Sequence, residues 1–224
     1  MIEVKELSKT YSIDGQVFRA VDNVSFTVRR GEMVSIIGHS GSGKTTLLSL
    51  IGGLTKPASG SVLIEDRAIW SMSDDELSAF RNRKMNFIYQ FSSLVPTLTS
   101  LENIMLPTAF GDYGEDVAGY ARELLALVGL KEKENSYPSH LSGGQQRRIA
   151  IARAFINRPD IVLADEPTGD LDEETEAEII SLFTRMNKDA GTTFVVVTHN
   201  KDIAALAARR LKMANGAVTE ISGG

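Results

Sequence analysis

Cysteine is absent from the 224 residues, which rules out disulfides, thiolate metal sites and cysteine nucleophiles. A small secreted scaffold does not fit such a chain, and a reducing cytoplasm is the expected compartment. Long apolar runs are missing too. Nowhere do about eighteen apolar residues follow one another, so no helix is expected to span a bilayer and any membrane role should be peripheral. The opening Met1-Ile2-Glu3-Val4-Lys5-Glu6-Leu7 alternates polar and apolar residues, reads as a strand, and lacks the apolar core of a signal peptide. Positive charge is not in excess. With 24 basic and 29 acidic side chains the net charge is −5, so there is no broad basic field for nucleic acid or an anionic lipid surface, and nucleic acid is not an expected partner.

What is present is the composition of a globular protein, 42% hydrophobic and 24% charged, at a length that lets one α/β domain bury a large core. Residues 1 to about 35 read as short strands broken by Asp14-Gly15 and Arg30-Gly31. With Gly60-Ser61-Val62-Leu63-Ile64-Glu65 they predict an antiparallel sheet. Met33-Val34-Ser35-Ile36-Ile37 is a buried-strand run, and Thr45 to Gly52 carries apolar residues at helical spacing. The middle, roughly 89 to 156, is mainly helical: Val117, Tyr120, Ala121, Leu124, Leu125 and Val128 mark one helix face, which Gly129 should end. Ile161-Val162-Leu163-Ala164 and Thr193-Phe194-Val195-Val196-Val197-Thr198 have the character of parallel strands buried on both faces. Asp172 should cap a helix that Gly191 stops, and an alanine-rich helix is expected from about 202 to 210. Alternating strands and helices imply a parallel sheet with right-handed crossovers.

Gly38-His39-Ser40-Gly41-Ser42-Gly43-Lys44-Thr45 fits G-x-x-x-x-G-K-S/T at every fixed position, after a predicted strand and at the opening of a predicted helix. The glycines let backbone N–H groups turn toward one anion, and the helix that follows presents its positive end. Lys44 reaches the outer phosphates, and the Thr45 hydroxyl holds Mg2+. ATP or GTP binding follows, with Thr46 counted among the contact residues.

The apolar strand ending in Asp165-Glu166 adds the chemistry of cleavage. It brings Asp165 to its carboxyl end, where open α/β sheets bind ligands, so that Asp165 can join the magnesium shell. Glu166 can orient or deprotonate the attacking water. An acidic turn before a proline is the plain structural reading of Asp-Glu, and the P-loop upstream favours function.

Leu141-Ser142-Gly143-Gly144-Gln145, ahead of a basic amphipathic stretch from Gln146 to Phe155, offers a hydroxyl, open N–H groups and a helix dipole, a second phosphate site. The string resembles the signature motif of ABC ATPases. That resemblance implies a two-fold homodimer in which the signature of one copy closes over the ATP held by the P-loop of the other. It further implies that Tyr11 stacks on adenine and that Gln90 joins the magnesium shell and senses the transporter. Gly169-Asp170-Leu171-Asp172 would face the dimer, and His199 would contact the γ-phosphate and position Glu166. Lys44, Glu166 and His199 are the expected catalytic set.

The resemblance runs the length of the chain. It implies an α/β fold: a P-loop NTPase core of RecA-like type (1–88 and 157–224), with an antiparallel β subdomain and an inserted helical signature subdomain (89–156). Gln90-Phe91-Ser92-Ser93-Leu94-Val95-Pro96-Thr97-Leu98-Thr99 and Pro167-Thr168-Gly169-Asp170-Leu171-Asp172 resemble the LolD/MacB/FtsE group. The implied role is an ATPase serving an integral membrane permease from the cytoplasmic face of the inner membrane. Lipoprotein release of the LolD type comes first, and macrolide or peptide export of the MacB type stands beside it. The alternatives are an FtsE-like role in division or wall remodelling, or a soluble ABC ATPase acting on nucleic acid. Against the last, Lys44 and Leu141 lie too close in sequence for an inserted coiled coil, and zinc cysteines are absent.

Overall fold

The alternation at the start of the chain does what alternation requires, packing one face of an antiparallel sheet and wetting the other. The computed structural model describes residues 1–13, 15–111, 113–114, 116–169 and 171–221. In it β1 (Ile2–Ile13) pairs antiparallel with β2 (Gln16–Val28), Tyr11 opposite Phe18. After β3 (Met33–Ile37), the glycine loop and α1 (Lys44–Ile51), β4 (Ser59–Ile64) returns to the free side of β1, and the short β5 (Arg67–Ala68) completes the order β2-β1-β4-β5.

Next comes α2 (Asp74–Lys84), which begins with a capping box: Ser73 Oγ accepts from Glu76 N while the Glu76 carboxylate accepts from Ser73 N. It leads into β6 (Met85–Ile88). Three helices follow, α3 (Ser100–Met105), α4 (Val117–Leu127) and α5 (Gly143–Arg153). The chain then alternates through β7 (Ile161–Asp165), α6 (Glu173–Lys188), β8 (Thr193–Val197) and α7 (Lys201–Leu206), and finishes with β9 (Arg209–Ala214) and β10 (Ala217–Ile221).

The second sheet has the order β10-β9-β3-β8-β7-β6, parallel except for β10. Its inner strands β3, β7 and β8 are buried on both faces, and their period of two sorts side chains between two cores. Val34, Ile36, Ile161, Leu163, Val195 and Val197 pack with α1 and the antiparallel sheet. Val162, Ala164, Phe194 and Val196 pack against α4, α5 and α6, where Phe155, Phe183 and Phe194 form a ring cluster with centroids 5.1 to 6.3 Å apart.

One expected element is wrong. The helix foreseen over about 202 to 210 ends at Leu206, and β9 begins at Arg209. Helical propensity gives way to packing here. Leu211 and Met213 alternate into the core while β9 pairs with β3, and Asn215 and Gly216, at φ +48° and +79°, turn the chain into β10.

Candidate active site

The carboxyl ends of β3 and β7 and the loop after β8 open together into a cleft of about 690 Å³. Topology explains the meeting, since parallel neighbours deliver their following loops to one edge. Tyr11, Gly38, His39, Ser40, Gly41, Gly43, Lys44, Thr45, Thr46, Gln90, Asp165, Glu166 and His199 line it, as do Phe18 and Ala20, which the sequence reading did not name.

Gly43 precedes α1 at φ +104°, and a Cβ there would lie 2.0 Å from the Ala20 carbonyl oxygen of β2. At Gly38 a Cβ would lie 2.3 Å from the Met213 oxygen of β9. The glycine loop is thus clamped between the two sheets at positions that admit no side chain. Ser42 is buried under it, and among the described residues its Oγ has no hydrogen-bond partner. The Lys44 ammonium donates to the carbonyls of Gly38 at 2.8 Å and His39 at 3.0 Å, which holds its charge at the mouth of the loop. Such a cradle, with a cation and an orphaned hydroxyl, fits a polyphosphate.

Asp165 ends β7 half-buried. Burial pushes its carboxyl above the ordinary carboxylate value; the Thr45 hydroxyl bonded to it pulls back, the neighbouring Glu166 raises it, and Lys44 and Arg147 lower it. Thr45, Asp165 and the exposed Gln90 supply only oxygen donors that could face a metal, the set that suits a hard cation such as Mg2+.

Glu166 adopts φ +47°, a region seldom used by residues with a side chain. Its N–H donates to the Val197 carbonyl at 2.8 Å, tying the turn after β7 to the end of β8. Its Oε2 accepts from Thr198 Oγ1 at 3.1 Å and His199 N at 3.2 Å, and lies 3.0 Å from His199 Nδ1. The carboxylate is therefore aimed while the imidazole stays exposed toward the cleft. Tyr11 is 39% exposed, enough for a face to take a flat ring, and Lys9 Nζ lies 5.4 Å from its centroid.

The structure does not bring Ser142, Gly143, Gly144 and Gln145 into this cleft. They form the start of α5, where Ser142 Oγ accepts from Gln145 N at 3.2 Å and Gln145 Oε1 accepts from Ser142 N at 3.0 Å. Asp170, expected in the dimer-facing loop, lies outside the described residues. Phe18 had a readable signal: strands joined across Asp14-Gly15 put it opposite Tyr11. Thr198 and Arg147 contact Glu166 through folding alone, and no local pattern points to them.

Residues 21–169 match the family model described as ABC transporter. The chain belongs to the ABC transporter family. Among its ABC relatives, the lipoprotein-releasing system ATP-binding protein LolD of Bordetella avium is 46% identical over 216 residues, spanning 96% of this chain and 94% of that protein. LolD of Myxococcus xanthus is 42% identical, spanning 98% and 99%. The ABC transporter ATP-binding protein MJ0796 of Methanocaldococcus jannaschii is 43% identical, spanning 97% and 95%. A dimeric structure of that cassette in a post-hydrolysis state, bound to ADP and Pi, aligns with a TM-score of 0.92 and 40% identity over 100% of both chains. The present ABC chain is accordingly a LolD-like ATP-binding subunit that hydrolyses ATP, and its α/β architecture is that of the cassette. Among the described residues, no helix is long and apolar enough to cross a membrane.

Proposed function

We propose that two copies of this chain close over two ATP molecules and thereby drive an integral membrane permease that releases lipoproteins from the cytoplasmic membrane. The observation that carries this reading is the convergence of Lys44, Thr45, Asp165, Glu166 and His199 on one cleft, while Ser142 to Gln145 stand outside it. Lys44 and the glycine loop bind the phosphates, and Tyr11 takes the adenine. Thr45, Asp165 and Gln90 would hold Mg2+, which when bound supplies charge neutralisation at the β- and γ-phosphates. Glu166 orients and deprotonates the attacking water. His199 steadies the Glu166 carboxylate from the cleft side. Docking to the permease falls to the segment after Gln90, where Phe91 is 76% exposed, with Phe110, equally exposed, at the end of the turn that follows α3. A surface that leaves such rings in water favours a partner that covers them. Lipoprotein cargo rests on the relatives named LolD.

The experiment joins the purified chain with its permease in proteoliposomes carrying an acylated lipoprotein. ATP should release the lipoprotein to an acceptor. Glu166→Gln should bind ATP with wild-type affinity yet lose turnover by about a thousandfold, the scale of a positioned base with its electrostatic support. Full turnover by Glu166→Gln would overturn its role, and ATP cleavage without lipoprotein release would overturn the cargo.

A further inference from the structure

Basic residues of α5 do not form a solvated face. Arg147 is 4% exposed, and three backbone carbonyls accept from its guanidinium. Nη1 donates to Tyr89, the residue before Gln90. Nη2 donates to Glu166, and Nε to Pro167 at 3.0 Å. At the far end of the helix, Arg153 donates to the carbonyls of Ser92 and Ser93, each at 3.0 Å. Ser92 Oγ also donates to Gln146 Oε1 at 3.4 Å. One helix therefore grips both sides of the segment carrying Gln90, and through Arg147 it grips the turn carrying Glu166 as well.

Those two turns come from different strands, β6 and β7, and the Arg147 guanidinium reaches backbone carbonyls of both. Glu166 occupies a left-handed backbone position that persists only when its surroundings enforce it. Val197 accepts from its N–H, and its carbonyl accepts both from Gly169 N at 3.2 Å, closing the turn, and from Arg147, tying that turn to α5. A planar guanidinium with donors in a fixed fork can fix several carbonyls in one relation, whereas a lysine ammonium is a point charge on a flexible stem.

We propose that Arg147 is a positioning residue for ATP hydrolysis, acting through the Glu166 turn, which it locks to the helix that begins at Ser142. The proposal rests on the role given to Glu166 above. A shift of the Glu166 turn misplaces the carboxylate that faces water, without touching the glycine loop that binds nucleotide. The effect should thus fall on turnover and not on affinity.

Arg147→Lys and Arg147→Gln are measured in the full chain for steady-state turnover, equilibrium ATP binding and melting temperature. A loss in kcat of about tenfold to a hundredfold is expected, the scale of a small misplacement of catalytic groups, with ATP affinity held. Where Arg147→Gln folds poorly, Arg147→Lys is read below its melting temperature. The deciding measurement is single-turnover cleavage in the Glu166→Gln background. Because Arg147 acts through Glu166, adding Arg147→Lys there should lower the residual rate less than about twofold. Losses that multiply are the mark of a merely structural arginine and overturn the proposal, as does unchanged kcat in Arg147→Lys. Should Glu166→Gln by itself keep full turnover, the role of Glu166 fails instead, whatever Arg147 shows.

Discussion

At the scale of single residues, Asp165 shows how the cleft holds charge at an energetic cost. Burial dominates its environment and favours the protonated form; the Thr45 hydroxyl, Lys44 and Arg147 offset this only in part, and Glu166 adds to it. The folded chain therefore binds the proton more tightly than the unfolded chain, whose carboxyl titrates at its ordinary value of 3.8. Between that value and the raised one the native state carries more protons, so stability falls as pH rises through the window, and above it the penalty is complete. Asp165→Asn removes the charge and keeps the shape. In chelator and without nucleotide, the variant should melt higher than wild type at neutral pH. That gain should shrink as pH falls toward the ordinary carboxylate range, while Mg2+-dependent ATP binding is lost at every pH. Thermal melting across the pH series checks this, and an unchanged neutral-pH melting temperature would sink it.

At the scale of elements, the hairpin of β9 and β10 is part of the nucleotide site although none of its side chains lines the cleft. Its turn touches three things: Gly216 O accepts from Asp22 N at 2.9 Å, Gly216 N donates to Ser42 O at 3.3 Å, and a Cβ on Gly216 would lie 3.0 Å from the Arg19 oxygen. The Met213 carbonyl meanwhile abuts Gly38. Gly216→Ala should cost about 1 to 3 kcal/mol in stability from its positive φ, and should also weaken ATP binding several-fold by displacing Ser42. Gly191→Ala is the control, since Gly191 has φ +68° with open space around it, so strain should lower stability and leave ATP affinity alone. Equal affinity in both variants would show that the hairpin does not support the glycine loop. In this hairpin local signals compete: Asn215-Gly216 and the alternation of Leu211 and Met213 point to paired strands, whereas the alanine-rich run before them points to a helix, which ends at Leu206. The Ser73-Asp74-Asp75-Glu76 capping box of α2 is an equally local signal. Elements fixed by strong local patterns came through. The apolar runs of β7 and β8, the face of α4 ending at Gly129, and the Asp172 cap of α6, which accepts from Thr175 N at 2.9 Å, are where the residues predict them. The site was legible where a motif is continuous, as in the glycine loop. It was not where contact depends on three distant segments, as in Arg147 reaching Tyr89 and Glu166.

At the scale of the whole molecule, a single chain carries two anion-competent helix starts that it does not bring together. Ser142 and Gly143 are exposed, and nothing lies within 4 Å of a Cβ placed on Gly143, so the surface has room for a partner to approach. A closed two-fold arrangement would use this geometry twice, each copy lending its α5 start to the other's cleft. Ser142→Arg should then leave ATP binding to the separate chain at wild-type strength and abolish the ATP-dependent dimer. The new cation blocks closure in the other copy's site without reaching its own. Lys44→Ala has the opposite defect, an intact α5 start and a failed phosphate cradle. Mixing the two variants builds one sound composite site per mixed dimer, from the cradle of the Ser142→Arg chain and the α5 start of the Lys44→Ala chain. ATP-dependent association should reappear in the mixture and in neither variant alone, as sedimentation or light scattering would register. If Ser142→Arg instead loses ATP in the monomer, or the mixture stays monomeric at every ratio, the second helix start acts within its own chain and the two-copy engine is wrong.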